Sequence, residues 1–197
     1  MPFIEPLPRE SLPDLEPTFQ DTESFLGFLP NDVLTMAYMA EPTKAFMDFC
    51  LAIYKNATLP QILLHLVGMV ASAASGCRYC TSHLANKLFD EGADKQKITD
   101  VWLYETSPLF TPAERAALAL AQACGQSPSQ VDQAHYDALR KHYTEREIVE
   151  LMFIICQFGF WNRWNDGVGT VLEDAPRTFS EQTLPEEHWS LGKHAAQ

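Results

Sequence analysis

Apolar residues along this chain recur every three to four positions, and no stretch shows the strict apolar/polar alternation of a half-buried strand. The expected fold class is therefore all-α: a compact helical domain, with an internal helical-hairpin repeat and a Pro-rich N-terminal arm. Asn31 is placed to cap a short helix through Met39, and Glu41-Pro42 opens another with Phe46, Phe49, Cys50 and Ile53 at helical spacing. Residues 59–75 form a third segment, apolar on most sides and closed by Gly76. A further helix starts at or near Cys77 and runs to Glu91, with Gly92 as its stop, and Asp94 begins the next.

Three four-residue patterns punctuate the second half: Thr111-Pro112-Ala113-Glu114, Ser127-Pro128-Ser129-Gln130 and Thr144-Glu145-Arg146-Glu147. Each puts a hydroxyl at the N-cap and Glu or Gln at N3, where they satisfy amides that a helix start leaves unpaired. Shifting the chain by 85 lays residues 59–80 over 144–165 and sets Cys77 over Asn162 and Cys80 over Asn165. Six of the thirteen prolines fall in residues 1–30, which reads as an extended arm because proline fixes φ and donates no hydrogen bond. The expected organisation is an arm at 1–30, a helical domain at 31–173 and an irregular tail at 174–197.

With 46% apolar and 20% charged residues, the 197-residue chain has material for one ordinary core. Its 26 acidic against 14 basic residues leave a net charge of −12, with no Lys/Arg cluster. That excludes the electrostatic footprint of a nucleic-acid binder and disfavours anionic membrane surfaces. No apolar run approaches the roughly 20 residues of a membrane span, and the start lacks a basic region followed by an apolar one. Five cysteines, an odd number, do not make a disulfide framework, so a reducing, cytoplasmic setting is expected.

The chemistry centres on Ser75-Gly76-Cys77-Arg78-Tyr79-Cys80-Thr81-Ser82-His83. Positions i, i+3 and i+6 stay near one helix face, so two sulfurs and an imidazole can converge. Cys77 sits at a helix start, where unpaired N–H groups favour a thiolate, and His83 lies one turn beyond Cys80 as a base. A nucleophile, a base and a resolving thiol are what dithiol redox chemistry requires, with no cofactor or metal. Alternatives stay open. A zinc site would take His65 as a fourth ligand beside Cys77, Cys80 and His83, and the two thiols are otherwise simply small core residues. Cys50, Cys124 and Cys156 read as core. His135, His142, His188 and His194 read as surface, and Phe160, Trp161 and Trp164 as core or interface more than pocket wall.

Residues 59–87 resemble the core motif of the alkylhydroperoxidase D-like branch of the carboxymuconolactone decarboxylase family. The likeness extends from about Glu41 to Glu173, with 158–166 resembling a second helical hairpin. The resemblance implies an all-helical homo-oligomer with a redox-active Cys-x-x-Cys. It implies reduction of a peroxide or disulfide substrate, the pair being restored by an external dithiol. The family's histidine, four residues after the second cysteine, falls on Leu84 here, beside His83. The family's relay glutamate, twelve residues before the first cysteine, falls on His65. Cys77, Cys80, His83 and His65 are thus the catalytic candidates. Cys80 is the attacking thiol by its nearness to His83, although the helix start favours Cys77, and the pair is expected to outpace the other three cysteines towards alkylating agents. The second reading is a non-redox lyase-like relative or binding module with a vestigial pair. The two helices apolar on most sides and the apolar residues of the arm point to a homo-oligomer, with the arm as strap.

Overall fold

The computed structural model describes residues 2–196, and among them the regular structure is helical throughout. The helices are α1 (Glu16–Leu26), α2 (Asn31–Met36), α3 (Ala40–Asn56), α4 (Gln61–Ala74), α5 (Arg78–Asp90) and α6 (Lys95–Thr99). They are followed by α7 (Pro112–Gly125), α8 (Gln133–Leu139), α9 (Glu145–Val168) and α10 (Asp174–Thr183). The all-α expectation holds. No helix among the described residues is long and apolar enough to cross a membrane.

Helix α4 is the axis of the domain. Residues 63–72 are all buried, with α5, α7 and α9 packed around them. A helix apolar on every side needs neighbours on every side, and α4 finds them within its own chain. Leu64, Leu66 and Met69 are fully enclosed, each contributing roughly 1.5–3 kcal/mol of burial. Where α4 meets α9 the Phe158 ring lies against the α4 backbone. A Cβ on Gly68 would lie 2.6 Å from the Phe158 ring, so only glycine lets that ring settle. The Thr111 and Thr144 capping boxes open α7 and α9 as expected.

Several expectations are corrected. The stretch 1–30 is not an extended arm: after two 3-10 turns it forms α1, with Pro17 in the first turn. There its missing N–H costs no hydrogen bond. Leu15 and Phe19 are buried against this chain's own core, and the Arg9 fork grips Glu16 and Glu23. The Ser127 pattern starts no helix; the Ser127–Pro128 bond is cis and α8 begins instead after Asp132, which caps it with His135. The tail is not irregular throughout, since α10 packs on α5. The expected second hairpin lies inside the unbroken α9, so the repeat register compares a bent segment with a straight one.

Candidate active site

The site is built on the α4–α5 corner. Gly76, at φ +77°, ends α4 in the left-handed conformation that favours glycine. Gly76 N–H donates to Ala73 and Cys77 N–H to Ser72, both at 3.0 Å, closing the helix end. Cys77 is then extended and serves as N-cap of α5, its Sγ accepting the Cys80 amide at 3.5 Å. One turn thus holds both sulfurs, as the spacing predicts.

Three distant segments complete the arrangement. Asn165 of α9 reaches in with a single amide nitrogen, which donates to Asp32 Oδ2 at 3.0 Å and to Cys80 Sγ at 3.6 Å. Glu173, just before α10, accepts from His83 Nε2 at 2.6 Å, from the Tyr79 hydroxyl at 2.8 Å and from the Asn31 amide at 2.6 Å. The His83 ring is stacked on Tyr79 at 4.3 Å and meets the edge of Phe28.

These contacts set the protonation states. Burial pushes the Cys80 thiol well above its usual range, and Cys77 beside it adds to the rise. Burial acts to lower His83, but the Glu173 carboxylate outweighs it and the imidazole ends above its ordinary value. Burial acts to raise Glu173 in turn, and the His83 charge outweighs that, leaving it below the usual carboxylate range. The expected base thus has a partner that the spacing did not show: Glu173 raises the His83 pKa and favours its protonated form. Burial raises Asp32 to about 6, with His83 pulling it down.

Cys80 and His83 share a cleft with Asp32, Gln157, Phe158 and Trp161. Cys77 lies behind this wall and does not line it. His65 does line it, but its Nδ1 is bound to Glu91 at 2.8 Å, and Glu91 also takes Lys87 at 3.5 Å. His65 is thus one half of a second His–Glu pair in the same wall. Cys77, Cys80, His83 and His65 do not converge as ligands, and among the described residues no three such side chains are grouped to hold a metal.

All five cysteines are free thiols. Cys50 is core as expected, but Cys124 is half-buried and Cys156 exposed, because α9 turns that face outward. His194 is not on the surface: it is buried, with Nδ1 on the Thr170 carbonyl at 2.7 Å. Trp161 is pocket wall, whereas Phe160 is partly exposed and stacks against Trp164 and Phe46. Sequence reasoning missed Asp32, Gln157 and Glu173, and met Asn165 only through the repeat register. One signal was present: Gln157, Asn162 and Asn165 are amides within or just after the apolar run 151–161 of α9, and all three are buried.

The model of the carboxymuconolactone decarboxylase family matches residues 40–123. A cysteine-to-alanine variant of the debrominase Bmp8, solved in complex with 2,3,4-tribromopyrrole, is 36% identical, with a TM-score of 0.87 over 91% of this chain and 96% of that one. The alkylhydroperoxidase AhpD core of an uncharacterized peroxidase-related protein from Ralstonia eutropha JMP134 is 25% identical, with a TM-score of 0.77 over 93% and 98%. The uncharacterized protein YdfG of Bacillus subtilis is 28% identical over 116 residues, 58% of this chain and 79% of that relative.

Proposed function

The chain belongs to the carboxymuconolactone decarboxylase family, in its alkylhydroperoxidase D-like branch, and from that premise we propose that it is a dithiol reductase of small, apolar, ring-bearing substrates. The carrying observation is the Cys80 thiol in the wall of an aromatic cleft, with His83, bonded to Glu173, one turn on and Cys77 directly behind. Cys80 is the attacking thiol because it alone of the pair faces the cleft. Likeness to a debrominase along nearly the whole chain favours a ring-bound halogen as the electrophile.

In this reaction Cys80 sulfur bonds to the halogen while the carbon–halogen pair stays with the ring carbon. His83 gives that carbon a proton through the ring nitrogen that Glu173 leaves free, and takes the Cys80 proton in its place. Cys77 then attacks the Cys80 sulfur, and halide and a proton depart as the disulfide forms. The dithiol loses two electrons and the substrate gains them. An external dithiol returns the pair to the reduced form, which suits a cytoplasmic protein. The likeness to an alkylhydroperoxidase core supports a second reading, in which the same pair reduces an organic hydroperoxide through a Cys80 sulfenic acid.

One panel tests both. The reduced protein is supplied with 2,3,4-tribromopyrrole, 2,4-dibromophenol, cumene hydroperoxide and oxidised glutathione, with dithiothreitol as reductant. Bromide release or peroxide loss is expected, abolished by Cys80→Ser and slowed by Cys77→Ser, in which dithiothreitol must resolve the Cys80 sulfur in place of the neighbouring thiol. Equal rates in Cys80→Ser refute the redox reading and leave the non-redox alternative.

A further inference from the structure

Among the described residues, several buried polar side-chain atoms have no hydrogen-bond partner in the protein. Two of the residues that carry them line the cleft: Asp32, through Oδ1, and Gln157, through Oε1. Both side chains are more than nine-tenths buried, and both unpartnered atoms are acceptors. The surrounding wall is otherwise largely apolar, including Phe25, Met47, Leu84, Phe158 and Trp161. A buried acceptor without a donor costs free energy until something in the cleft supplies one.

From this we propose that the cleft selects ring substrates carrying an N–H or O–H donor, with Asp32 and Gln157 as the specificity-determining acceptors. The proposal rests on the reading of the site as a reductase of small rings, and it names the class of ring. Geometry links recognition to chemistry. The amide nitrogen of Asn165 touches both Asp32 Oδ2 and Cys80 Sγ. Asp32 Oδ2 and the sulfur are therefore no farther apart than those two contacts laid end to end, and the unpartnered Oδ1 belongs to the same carboxyl group. A pyrrole-type N–H or a phenol-type O–H on Asp32 places a ring carbon within reach of the thiol. Ring faces pack on Phe158 and Trp161 in the way aromatic clefts hold flat ligands. An N-alkylated or O-alkylated ring of the same shape leaves both acceptors unpaired in a dry site, the situation in which polar sites reject an analogue most strongly. Above a pH of about 6 Asp32 is ionised, which makes it a charge-assisted acceptor.

The test separates binding from turnover. The full chain with Cys80→Ser, which cannot consume the ligand, is titrated calorimetrically with 2,3,4-tribromopyrrole and its N-methyl derivative, and with 2,4-dibromophenol and its methyl ether. Each donor-bearing ring is expected to bind at least about tenfold more tightly than its methylated partner. Gln157→Leu and Asp32→Asn are each expected to shrink that ratio. Equal affinity within each pair overturns the proposal, as does a ratio that survives both substitutions. If rings bind without discrimination while the wild type still releases bromide, the donor rule falls and the reductase reading stands. Discrimination without turnover leaves the donor rule standing and sinks the reductase reading. If no ring binds, both fall.

Discussion

Replacing Asp32 by Asn tests whether the cleft is held at a cost to the fold. Asp32 is 6% exposed, bonded to Asn165 through one oxygen and unpartnered at the other. Burial moves its pKa from 3.8 to about 6. For an acid this direction works against the folded state. The penalty is absent below the unfolded pKa, grows as pH rises from about 4 to about 6, and is complete above that. At about 1.36 kcal/mol per pH unit the gap amounts to about 3 kcal/mol, a sizeable part of the roughly 5–15 kcal/mol that holds a domain together. Asparagine has the same shape, keeps an oxygen for Asn165 and has no charge to desolvate. Urea unfolding should therefore find Asp32→Asn more stable than wild type by about 2–3 kcal/mol at pH 8, with the gap closing to under about 0.5 kcal/mol near pH 4. A variant no more stable than wild type at pH 8, or a gap indifferent to pH, refutes the claim that the cleft keeps an ionised, desolvated carboxylate.

Glu173→Gln leaves Tyr79 and Asn31 an oxygen to bond but removes the charge that keeps His83 protonated. The His83 midpoint, followed by NMR of the imidazole carbons, should fall. The stability that wild type loses as pH rises through that midpoint should vanish in the variant. An unmoved midpoint would show that Glu173 does not hold the proton. Alkylation with iodoacetamide at pH 7.5, mapped by mass spectrometry, should label exposed Cys156 first. Cys80, reached only through the cleft, should react more slowly, and Cys77 behind it more slowly still; Cys77 labelled before Cys80 would contradict that placement. On α9, Val149, Phe153 and Phe160 are exposed, and Phe153 meets Phe49 of α3 edge-on. We expect this stripe, not the N-terminal segment, to join copies of the chain. Light scattering should find an oligomer that Phe153→Glu converts to monomer with unchanged helix content, and a monomeric wild type at micromolar concentration refutes it.

Local rules served the fold well where one segment decided its own conformation. The continuous apolar run of α4, the Gly76 stop and the Thr111 and Thr144 boxes were all legible, because each acts within a few residues. They failed where the same pattern has two outcomes. Ser127-Pro128-Ser129-Gln130 has the residues of a capping box, but nothing within four residues says whether a helix follows. Proline density hid α1 because a proline in the first helical turn costs nothing, and α1 exists through what it packs on: Phe25 lies 4.9 Å from the Tyr54 ring of α3. Residues 174–183 are helical on the same terms, with Pro176 and Ser180 buried against α5 and Ser82 donating to the Pro176 carbonyl.

The site divides along the same line, and the division matters for mechanism. Cys77, Cys80 and His83 lie within seven residues, so spacing alone brought them together. What each can do is decided by Asp32, Gln157, Asn165 and Glu173, which arrive from α2, α9 and the turn before α10. Spacing made His83 a base; a carboxylate 90 residues away binds its Nε2 and raises its pKa. Nearness to His83 favoured Cys80 and the helix start favoured Cys77; the cleft, walled by α1, α2, α3, α4, α5 and α9, opens on Cys80. A buried amide on an apolar helix is the one part of this distant frame a reader could have found. Gln157 and Asn165 break the apolar face of α9 at a desolvation cost that packing alone does not explain. Asn165 offsets the share of its nitrogen through Asp32 and Cys80, while its own Oδ1 and Gln157 Oε1 have no protein partner. An unpaired acceptor retained in a dry wall is better explained by what enters the cleft than by the fold that surrounds it.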